Sequence, residues 1–347
     1  MDSNLNIQIE EALKAYRASG VEAQVDYQKF YLYSIVTNST AIEGSTITEI
    51  ENQLLFDEDI AAKGRSLTEQ MTNVDLKDAY LHSFRIAAEN PTYTSKLLQQ
   101  LSALVMRRTG SEYSTIAGHF DSSKGEFRLC NVSAGIGGRS YLAYNKVSQA
   151  VENFCSWLNE EILKVDKKDI AACYRLSFEA HFRLVSIHPW VDGNGRTTRL
   201  VMNLIQRQLG FVPSIVRKED NVEYIQSLVD SCENDDSTIA QDVMLRHHIA
   251  NLNRRVSQYQ ENDTVNTQSD TVNVTANANN DTVIGLKKSL QKVYTVILNN
   301  PEITHSEIME TLHISESTAK RATRDLKKIG YIAREGSDKT GKWIILK

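Results

Sequence analysis

Apolar residues recur every three or four positions along most of the chain, which is the pattern of helices with one buried face. In the stretch 145–163, for example, Val147, Val151, Phe154 and Leu158 would form one apolar stripe. Gly210 and Pro213 would end a later helix. Three successive helices are therefore predicted over 145–163, 168–187 and 196–209.

Strand character is rare in the sequence. Residues 125–141 contain two β-prone pieces around a glycine-rich turn, GEFRLCNVSAGIGGRSY. Such a pattern favours a β-hairpin. The main part of the chain is therefore predicted to be mainly α, with one small hairpin.

Polar residues interrupt this pattern from residue 257 onwards. The segment 257–285 is rich in Asn, Thr, Asp and Ser, and repeats the tripeptide DTV, which favours a linker over a structural repeat. The 64 residues of 284–347 carry 12 Lys and Arg against 7 Asp and Glu, whereas the chain as a whole has a net charge of −5. We therefore predict an N-terminal helical region at 1–95, a helical core at 96–256, a linker at 257–283 and a separate basic unit at 284–347.

The basic unit has the spacing of a winged helix-turn-helix. Helices are predicted over 286–298, 306–312 and 315–329, with Ser306 and Ser315 as N-caps, and two strands follow. The third helix would expose Lys320, Arg321 and Arg324, with Lys327 and Lys328 beyond them, to DNA phosphates. The alternative is a winged helix used for protein contacts or dimerisation.

Composition narrows the class of protein. Hydrophobic residues make up 41% of the 347 and charged residues 24%, as in folded domains. No leader or membrane span is evident, so we expect a cytoplasmic protein without membrane contact. The four cysteines are irregularly spaced, which favours small buried residues over disulfides or a zinc ribbon.

The stretch HPWVDGNGRTTRL, residues 188–200, breaks the helical pattern. Gly193 and Gly195 would let backbone N–H groups converge just where a new helix offers its unpaired N-terminal donors. A loop of this kind is suited to binding phosphate. A glycine-rich turn by itself is more often an ordinary loop, and the residues around it carry the functional interpretation.

Charged and titratable residues surround this loop. Arg196 and Arg199 are three residues apart, so both guanidinium groups would leave the same side of the helix and bind successive phosphates. Asp192 could hold Mg²⁺ between itself and those phosphates. His188, with an ordinary pKa of about 6.5, is suited to removing a proton from an attacking hydroxyl.

Other histidines receive a structural interpretation. His181, on an apolar helix, is expected to be packed in the core, as are His247 and His248. A zinc hydrolase is disfavoured because Pro189 and Gly193 keep His188 and Asp192 off one helical face, and no H-E-x-x-H occurs.

Residues 188–199 resemble the signature of the Fic (filamentation induced by cAMP) family, H-P-F-x-D/E-G-N-G-R-x-x-R. Every polar position matches, and Trp190 stands where phenylalanine is usual, a change expected to affect packing beneath the loop. With the helices around it and the 125–141 hairpin, the resemblance covers about 96–211. The implied fold is a Fic-type helical core with a small β-hairpin flap, followed by the winged helix-turn-helix domain.

The resemblance implies a protein adenylyltransferase, which moves AMP from Mg²⁺-bound ATP to a protein hydroxyl and releases pyrophosphate. His188 would be the base and Asp192 the metal ligand. Residues Gly193 to Gly195 would form an anion hole, in which Asn194 holds the α-phosphate region, and Arg196 and Arg199 would hold the β- and γ-phosphates. The hairpin would be the flap that aligns a target protein by main-chain pairing.

A second stretch, STAIEG at 39–44, resembles the inhibitory pattern S/T-x-x-x-E-G/N of Fic proteins whose inhibitory helix precedes the core. Ser39, Glu43 and Gly44 fill its fixed positions. The resemblance implies that Glu43 pairs with Arg199 and inhibits transfer. The residues alone would also fit a helix that Ser39 and Glu43 merely stabilise, with Glu43 as one of many solvated acidic residues.

Two classes of function therefore remain open. The first is a self-inhibited AMP transferase with ATP and a protein target as partners, which could also remove AMP. The second is a DNA-binding regulator in which the core senses nucleotide or has lost activity. A homodimer is a further open alternative.

Overall fold

The structure is a computed structural model that describes residues 3–134, 138, 140–271, 288–312, 315–328, 331–335 and 342–346. The chain divides into two compact units, 1–267 and 268–347, and each is described by itself. The mainly α prediction is confirmed: the strands form two small antiparallel hairpins among the described residues.

The first unit is built from ten helices and one hairpin within its described residues. Several helices begin at side-chain caps: Thr48 and Glu51 form a reciprocal capping box, and Thr94 and Asp169 accept backbone N–H bonds. In chain order the elements are α1 (Ser3–Ser19), α2 (Tyr27–Ile42), α3 (Glu49–Glu58), α4 (Leu67–Ala87), α5 (Ser95–Val105), β1 (Glu112–Thr115), β2 (Gly118–Asp121), α6 (Tyr144–Lys164), α7 (Ile170–Ile187), α8 (Asn194–Gln208), α9 (Asn221–Glu233) and α10 (Thr238–Thr271).

Helix α8 is the centre of this unit. It packs against α7 and α4, and also contacts α5 and α2. Leu200, Leu204 and Ile205 lie on its buried side and have no exposed surface. A helix surrounded by others on several sides holds its N-terminal turn rigidly, which is where the predicted phosphate loop lies.

A buried polar network joins α2, α3 and α4. Asn73 accepts hydrogen bonds from Thr40 (2.8 Å) and from Asn52 (3.0 Å), and Asn52 also donates to Thr37 (2.8 Å). Asn52 and Asn73 are fully buried. Because buried amides need partners, these bonds restrict α2 to one position on α4.

The hairpin prediction needs correction. Within 125–141 the described residues contain no strand, and the pairing there is a single bridge between Ser133 and Ser140. Residues 135–137 and 139, the glycine-rich turn, lie outside the described residues. The hairpin of this unit is β1–β2, which pairs from Glu112 with Asp121 to Thr115 with Gly118. Its short, polar strands lack the alternating apolar pattern from which a strand is predicted.

The predicted linker overlaps a helix. Helix α10 extends to Thr271, although the polar composition from 257 onwards favours a linker. The part of the linker beyond Thr271 lies outside the described residues. The domain boundaries at 95, 256 and 283 stay predictions.

The second unit has its own core. It consists of α11 (Lys288–Asn299), α12 (His305–Leu312), α13 (Glu316–Lys328), β3 (Ile332–Glu335) and β4 (Lys342–Ile345), with β3 and β4 antiparallel. Ser315 caps α13 as predicted, through a bond from the Thr318 N–H (3.3 Å). The cap of α12 is Thr304 and not Ser306: Thr304 Oγ1 accepts from Glu307 N, and Glu307 bonds back to Thr304.

The cysteines are free thiols. Cys155 and Cys173 are buried, and burial raises the pKa of Cys155 to about 12 and that of Cys173 to about 11. Thiols with such pKa values are poor nucleophiles. Among the described residues, no helix has the length and apolar character that a membrane crossing requires.

Candidate active site

The loop at 188–193 turns the chain between α7 and α8. His188 ends α7 in the left-handed region (φ 52°, ψ 63°), and Gly193 returns to that region (φ 75°) just before α8 begins at Asn194. The first N–H groups of α8 have no acceptor within the helix. The predicted break between two helices is present, and it presents a helix N-terminus beside His188.

Close packing beneath the loop explains its glycine and its tryptophan. A Cβ at Gly193 would lie 2.6 Å from Met106 Sδ, so a side chain there would collide as well as strain the backbone. Trp190 is fully buried, and its indole N–H donates to Gly125 O at 3.0 Å. The tryptophan therefore fills the space under the loop and also satisfies a backbone carbonyl.

The Asn194 side chain braces the loop. Its Nδ2 donates to Trp190 O (2.8 Å), and its Oδ1 accepts from Trp190 N (3.1 Å). Asn194 is 3% exposed. The amide thus fixes the loop that is predicted to form an anion hole, and direct contact of this side chain with an α-phosphate also stays a prediction.

His188 is held as a neutral imidazole. Burial has the largest effect on the pKa of His188 and lowers it, and the charge of Arg128 lowers it further. The Val185 backbone, Glu43 and Asp192 act in the opposite direction, and the resulting pKa is about 4. The ring is stacked on Tyr141, with 3.8 Å between centroids and 16° between planes. A neutral histidine at pH 7 can accept a proton, as a general base must.

Arg196 is a buried cation with unused donors. It is 7% exposed, and its Nε and Nη1 are buried without a hydrogen-bond partner among the described residues. Its Nη2 lies 3.4 Å from Asp192 Oδ1, and Asp192 itself is 61% exposed. Buried guanidinium donors are costly to leave unpaired, so this arrangement fits a site for an anion.

Arg199 is held by Ser39 of α2 and by Glu43, the residue that caps α2. Its Nε donates to Ser39 Oγ (2.9 Å), and its Nη2 donates to Ser39 O (2.9 Å) and to Glu43 Oε1 (2.7 Å). Arg199 is 3% exposed. The structure therefore brings the two quoted motifs, STAIEG and HPWVDGNGRTTR, into direct contact.

Glu43 lies over the N-terminus of α8. A Cβ at Gly195 would be 2.2 Å from Glu43 Oε1. Burial raises the pKa of Glu43, but the Arg199 charge and hydrogen bond outweigh it, with Arg196 and His188 adding to them, so the pKa is lowered. Gly44 follows in the left-handed region (φ 98°) and ends α2. An ionised carboxylate is thus placed where the loop would bind phosphate.

The other histidines lie in structural settings. His181 is buried and bonded to the Tyr224 hydroxyl (2.7 Å), and burial lowers its pKa to about 3. His248 is buried against Tyr174. His247 lies 2.9 Å from Glu223. His181 and His248 are therefore packed in the core as predicted, whereas His247 is half-buried and pairs with the exposed Glu223, so the core prediction is wrong for His247.

Arg128 and Tyr141 were missed by sequence reasoning, although both touch His188. Arg128 Nε donates to His188 O at 2.8 Å, and Tyr141 stacks on the imidazole. Both lie within 125–141, the stretch that the Fic resemblance implies is the flap, but no pattern in the sequence assigned either residue a contact with His188.

The candidate DNA-binding residues lie on α13 of the second unit. Lys320, Arg321 and Arg324 are exposed, whereas Ala319, Ala322 and Leu326 face the core. Lys327 lies over the Trp343 ring at 5.4 Å. The side chain of Lys328 lies outside the described residues. Helix α13 therefore presents one basic face and one apolar face.

Two family profiles match the chain. The Fic/DOC family matches residues 92–206, and a winged helix-turn-helix DNA-binding family matches residues 286–333. The chain therefore contains a Fic/DOC domain followed by a winged helix-turn-helix domain.

Curated relatives carry the name "Protein adenylyltransferase Fic". The protein of Drosophila erecta is 28% identical over 223 residues, and that of Drosophila mojavensis is 30% identical over 224. Each match covers 63% of this chain, but only about 40% of the relative's length. The likeness is therefore to part of those proteins.

Solved structures share the fold. A Fic family protein from Desulfovibrio desulfuricans G20 aligns with 99% of this chain and 96% of its own, at a TM-score of 0.62 and 17% identity. A Fic domain containing signaling protein from Bacteroides thetaiotaomicron covers 73% of this chain and 97% of its own, with a TM-score of 0.59 and 17% identity. Fic-1 from C. elegans (residues 134–508) covers 75% and 74%, with a TM-score of 0.58 and 20% identity.

Proposed function

We propose that this protein transfers AMP from ATP to a hydroxyl side chain of a protein. The observation that carries the proposal is the buried guanidinium of Arg196, whose Nε and Nη1 lack partners among the described residues, at the start of α8 beside a neutral His188. Relatives named protein adenylyltransferase support the same reaction. A phosphate-binding loop next to a base is what such a transfer requires.

In the proposed reaction the target hydroxyl oxygen attacks the α-phosphorus of ATP, and the bond from that phosphorus to the pyrophosphate oxygen breaks. His188 accepts the hydroxyl proton. The N–H groups at the start of α8 bind the α-phosphate region, and Asn194 keeps their loop in shape. Arg196 and Arg199 hold the β- and γ-phosphates and so place the leaving group in line.

Magnesium fits the proposal through Asp192. Asp192 Oδ1 accepts from the Gly193 N–H (2.5 Å), and Oδ2 has no bond or ion pair to another described residue. The described residues contain no cluster of three or more metal-binding side chains. One carboxylate with phosphate oxygens and waters is a usual Mg²⁺ setting, in which the ion neutralises charge on the phosphates.

The resting protein is proposed to inhibit itself. Glu43 occupies Arg199, the outer arginine that the γ-phosphate would use, and lies over Gly195. ATP could still bind through Arg196, but its γ-phosphate would be displaced and its α-phosphate would lie out of line with the hydroxyl. A displacement of about 1 Å can lower a rate by about 100-fold.

The test uses the full chain carrying Glu43→Gly, a cell lysate and ATP labelled on either the α- or the γ-phosphate. The same lysate with His188→Ala in that background is the control, because the lysate's own kinases attach γ-label. Above this control, label from α-labelled ATP should become covalently attached to proteins, and label from γ-labelled ATP should not. Transfer of the γ-label would indicate a kinase, and attachment of neither label would refute AMP transfer.

A DNA-binding regulator is the second candidate, favoured by the winged helix-turn-helix match and the basic face of α13. In that case Lys320, Arg321 and Arg324 would contact DNA phosphates, and the core would report nucleotide binding.

A reducing compartment such as the cytoplasm is part of the proposal for both candidates, because the four cysteines are free.

A further inference from the structure

Arg128 is a fully buried arginine whose guanidinium, among the described residues, bonds only to backbone carbonyls. Nε donates to His188 O (2.8 Å), Nη1 to Cys130 O (2.8 Å) and Nη2 to Leu142 O. Its exposed fraction is 0%, and no ion pair involves it among the described residues. Burying an arginine without a partner carboxylate costs stability, so the backbone geometry that Arg128 fixes is expected to have a role.

The three carbonyls lie on two different parts of the chain. Cys130 and Leu142 belong to the segment between β2 and α6, one near each end of the stretch that includes the Ser133–Ser140 bridge. His188 belongs to the loop before α8. The Arg128 backbone N–H adds a bond to Pro189 O (3.0 Å). Arg128 therefore fastens both ends of that stretch to the backbone of His188 and Pro189.

Tyr141 is next to one of the fastened carbonyls. The Tyr141 N–H donates to Val132 O (3.1 Å), and its ring is stacked on the His188 imidazole. Because Leu142 is held by Arg128, the position of the preceding tyrosine is held as well. The stacked ring covers one face of the imidazole and limits rotation of the His188 side chain.

We propose that Arg128 and Tyr141 are positioning residues for His188: Arg128 fixes the backbone of the histidine and of the stretch that bears Tyr141, and Tyr141 fixes the ring. The proposal rests on the proposed AMP transfer only for its kinetic consequence. Arginine is suited to this task because its planar fork points donors at three carbonyls in different directions, which a lysine ammonium cannot do.

The first test follows the His188 ring without any reaction. In full-length protein labelled at histidine, the His188 signal is identified by its loss in His188→Asn, and its pKa is measured by NMR titration. Burial keeps this pKa low and the charge of Arg128 lowers it further, whereas the Val185 backbone, Glu43 and Asp192 raise it. Tyr141→Ala and Arg128→Lys should raise the pKa towards its ordinary value, whereas Tyr141→Phe should not. An unchanged pKa in both of the first two variants would overturn the proposal.

The second test is kinetic, in the Glu43→Gly background. Tyr141→Ala and Arg128→Lys should lower kcat roughly tenfold with KM for ATP nearly unchanged, because the base is misplaced while the phosphate site remains. The acid limb of the rate profile should move to higher pH, and Tyr141→Phe should restore the parent's kcat. Loss of ATP affinity at constant kcat would contradict a positioning role.

Matched controls separate positioning from stability. Tyr113→Ala removes a tyrosine stacked elsewhere, on Phe120 (5.1 Å), and Arg175→Lys alters another buried arginine, bonded to Asn6 (3.0 Å) and Asp242 (2.6 Å). Both should leave the His188 pKa and kcat unchanged, and equal effects from the controls would refute the assignment. If the Glu43→Gly parent transfers no AMP, the proposed function fails while the NMR titration still decides this inference.

Discussion

Replacing Glu43 with glycine removes the carboxylate that occupies Arg199. The change is mild for the fold, because Glu43 is the C-cap of α2 (φ −86°, ψ 9°) and the next residue is already a glycine. Arg199 keeps its two bonds to Ser39, so it stays in place. The expected result is a rise in AMP transfer.

The size of the rise follows from the pair that is lost. Arg199 Nη2 and Glu43 Oε1 are 2.7 Å apart, and the arginine side chain is 3% exposed, which suits a charge-assisted hydrogen bond of about 1.5 to 3 kcal/mol. The Glu43 side chain is 40% exposed, so water screens the pair and the low end applies. About 1.4 kcal/mol corresponds to about tenfold in rate.

The assay measures attachment of label from α-labelled ATP, to the protein itself or to a target, over time. Glu43→Gln should give a smaller gain, because it keeps the shape and loses the charge. Glu58→Gly, at the exposed end of α3, is the matched control and should give none. The double change Glu43→Gly with Arg199→Ala should lose the gain. An unchanged rate for Glu43→Gly with a competent target would refute the inhibitory role.

Four further predictions follow from the same geometry. His188→Ala should abolish transfer while ATP affinity, measured by calorimetry, stays within about threefold, since the phosphate contacts remain; transfer at the parent rate would end the general-base assignment. Deleting 284–347 should leave transfer unimpaired, because the first unit has its own core; an inactive or insoluble fragment would contradict this. If the second unit binds DNA, replacing Lys320, Arg321 and Arg324 with alanine should weaken its affinity for duplex DNA, measured by fluorescence anisotropy. The affinity should also depend less steeply on salt concentration, and an unchanged salt dependence would favour protein contacts. Burial lowers the pKa of His248 to about 3, so this histidine binds a proton more readily in the unfolded chain than in the folded one. Lowering the pH from about 6.5 should therefore reduce the free energy of unfolding by up to about 1.4 kcal/mol per pH unit. In urea titrations, His248→Leu should lessen this dependence on pH, and an identical dependence would refute the prediction.

Local signals in the sequence determined the helices and the chemistry of the loop. The periodicity of 145–163 predicts α6 to within a residue or two, because an amphipathic helix needs only near neighbours to specify it. Pro189 and Gly193 mark the break for the same reason: they act on their own backbone. The charged residues around the break could then be interpreted as a phosphate site.

The tertiary structure decided which distant groups meet. Glu43 and Arg199 are 156 positions apart, and their contact depends on how α2 and α8 pack, with the buried amides of Asn52 and Asn73 fixing α2 against α4. The same is true of Arg128, whose three carbonyl partners lie on segments that no periodicity connects. A sequence pattern reports the spacing of residues along one element, whereas a site built from several elements depends on packing that only the folded chain defines.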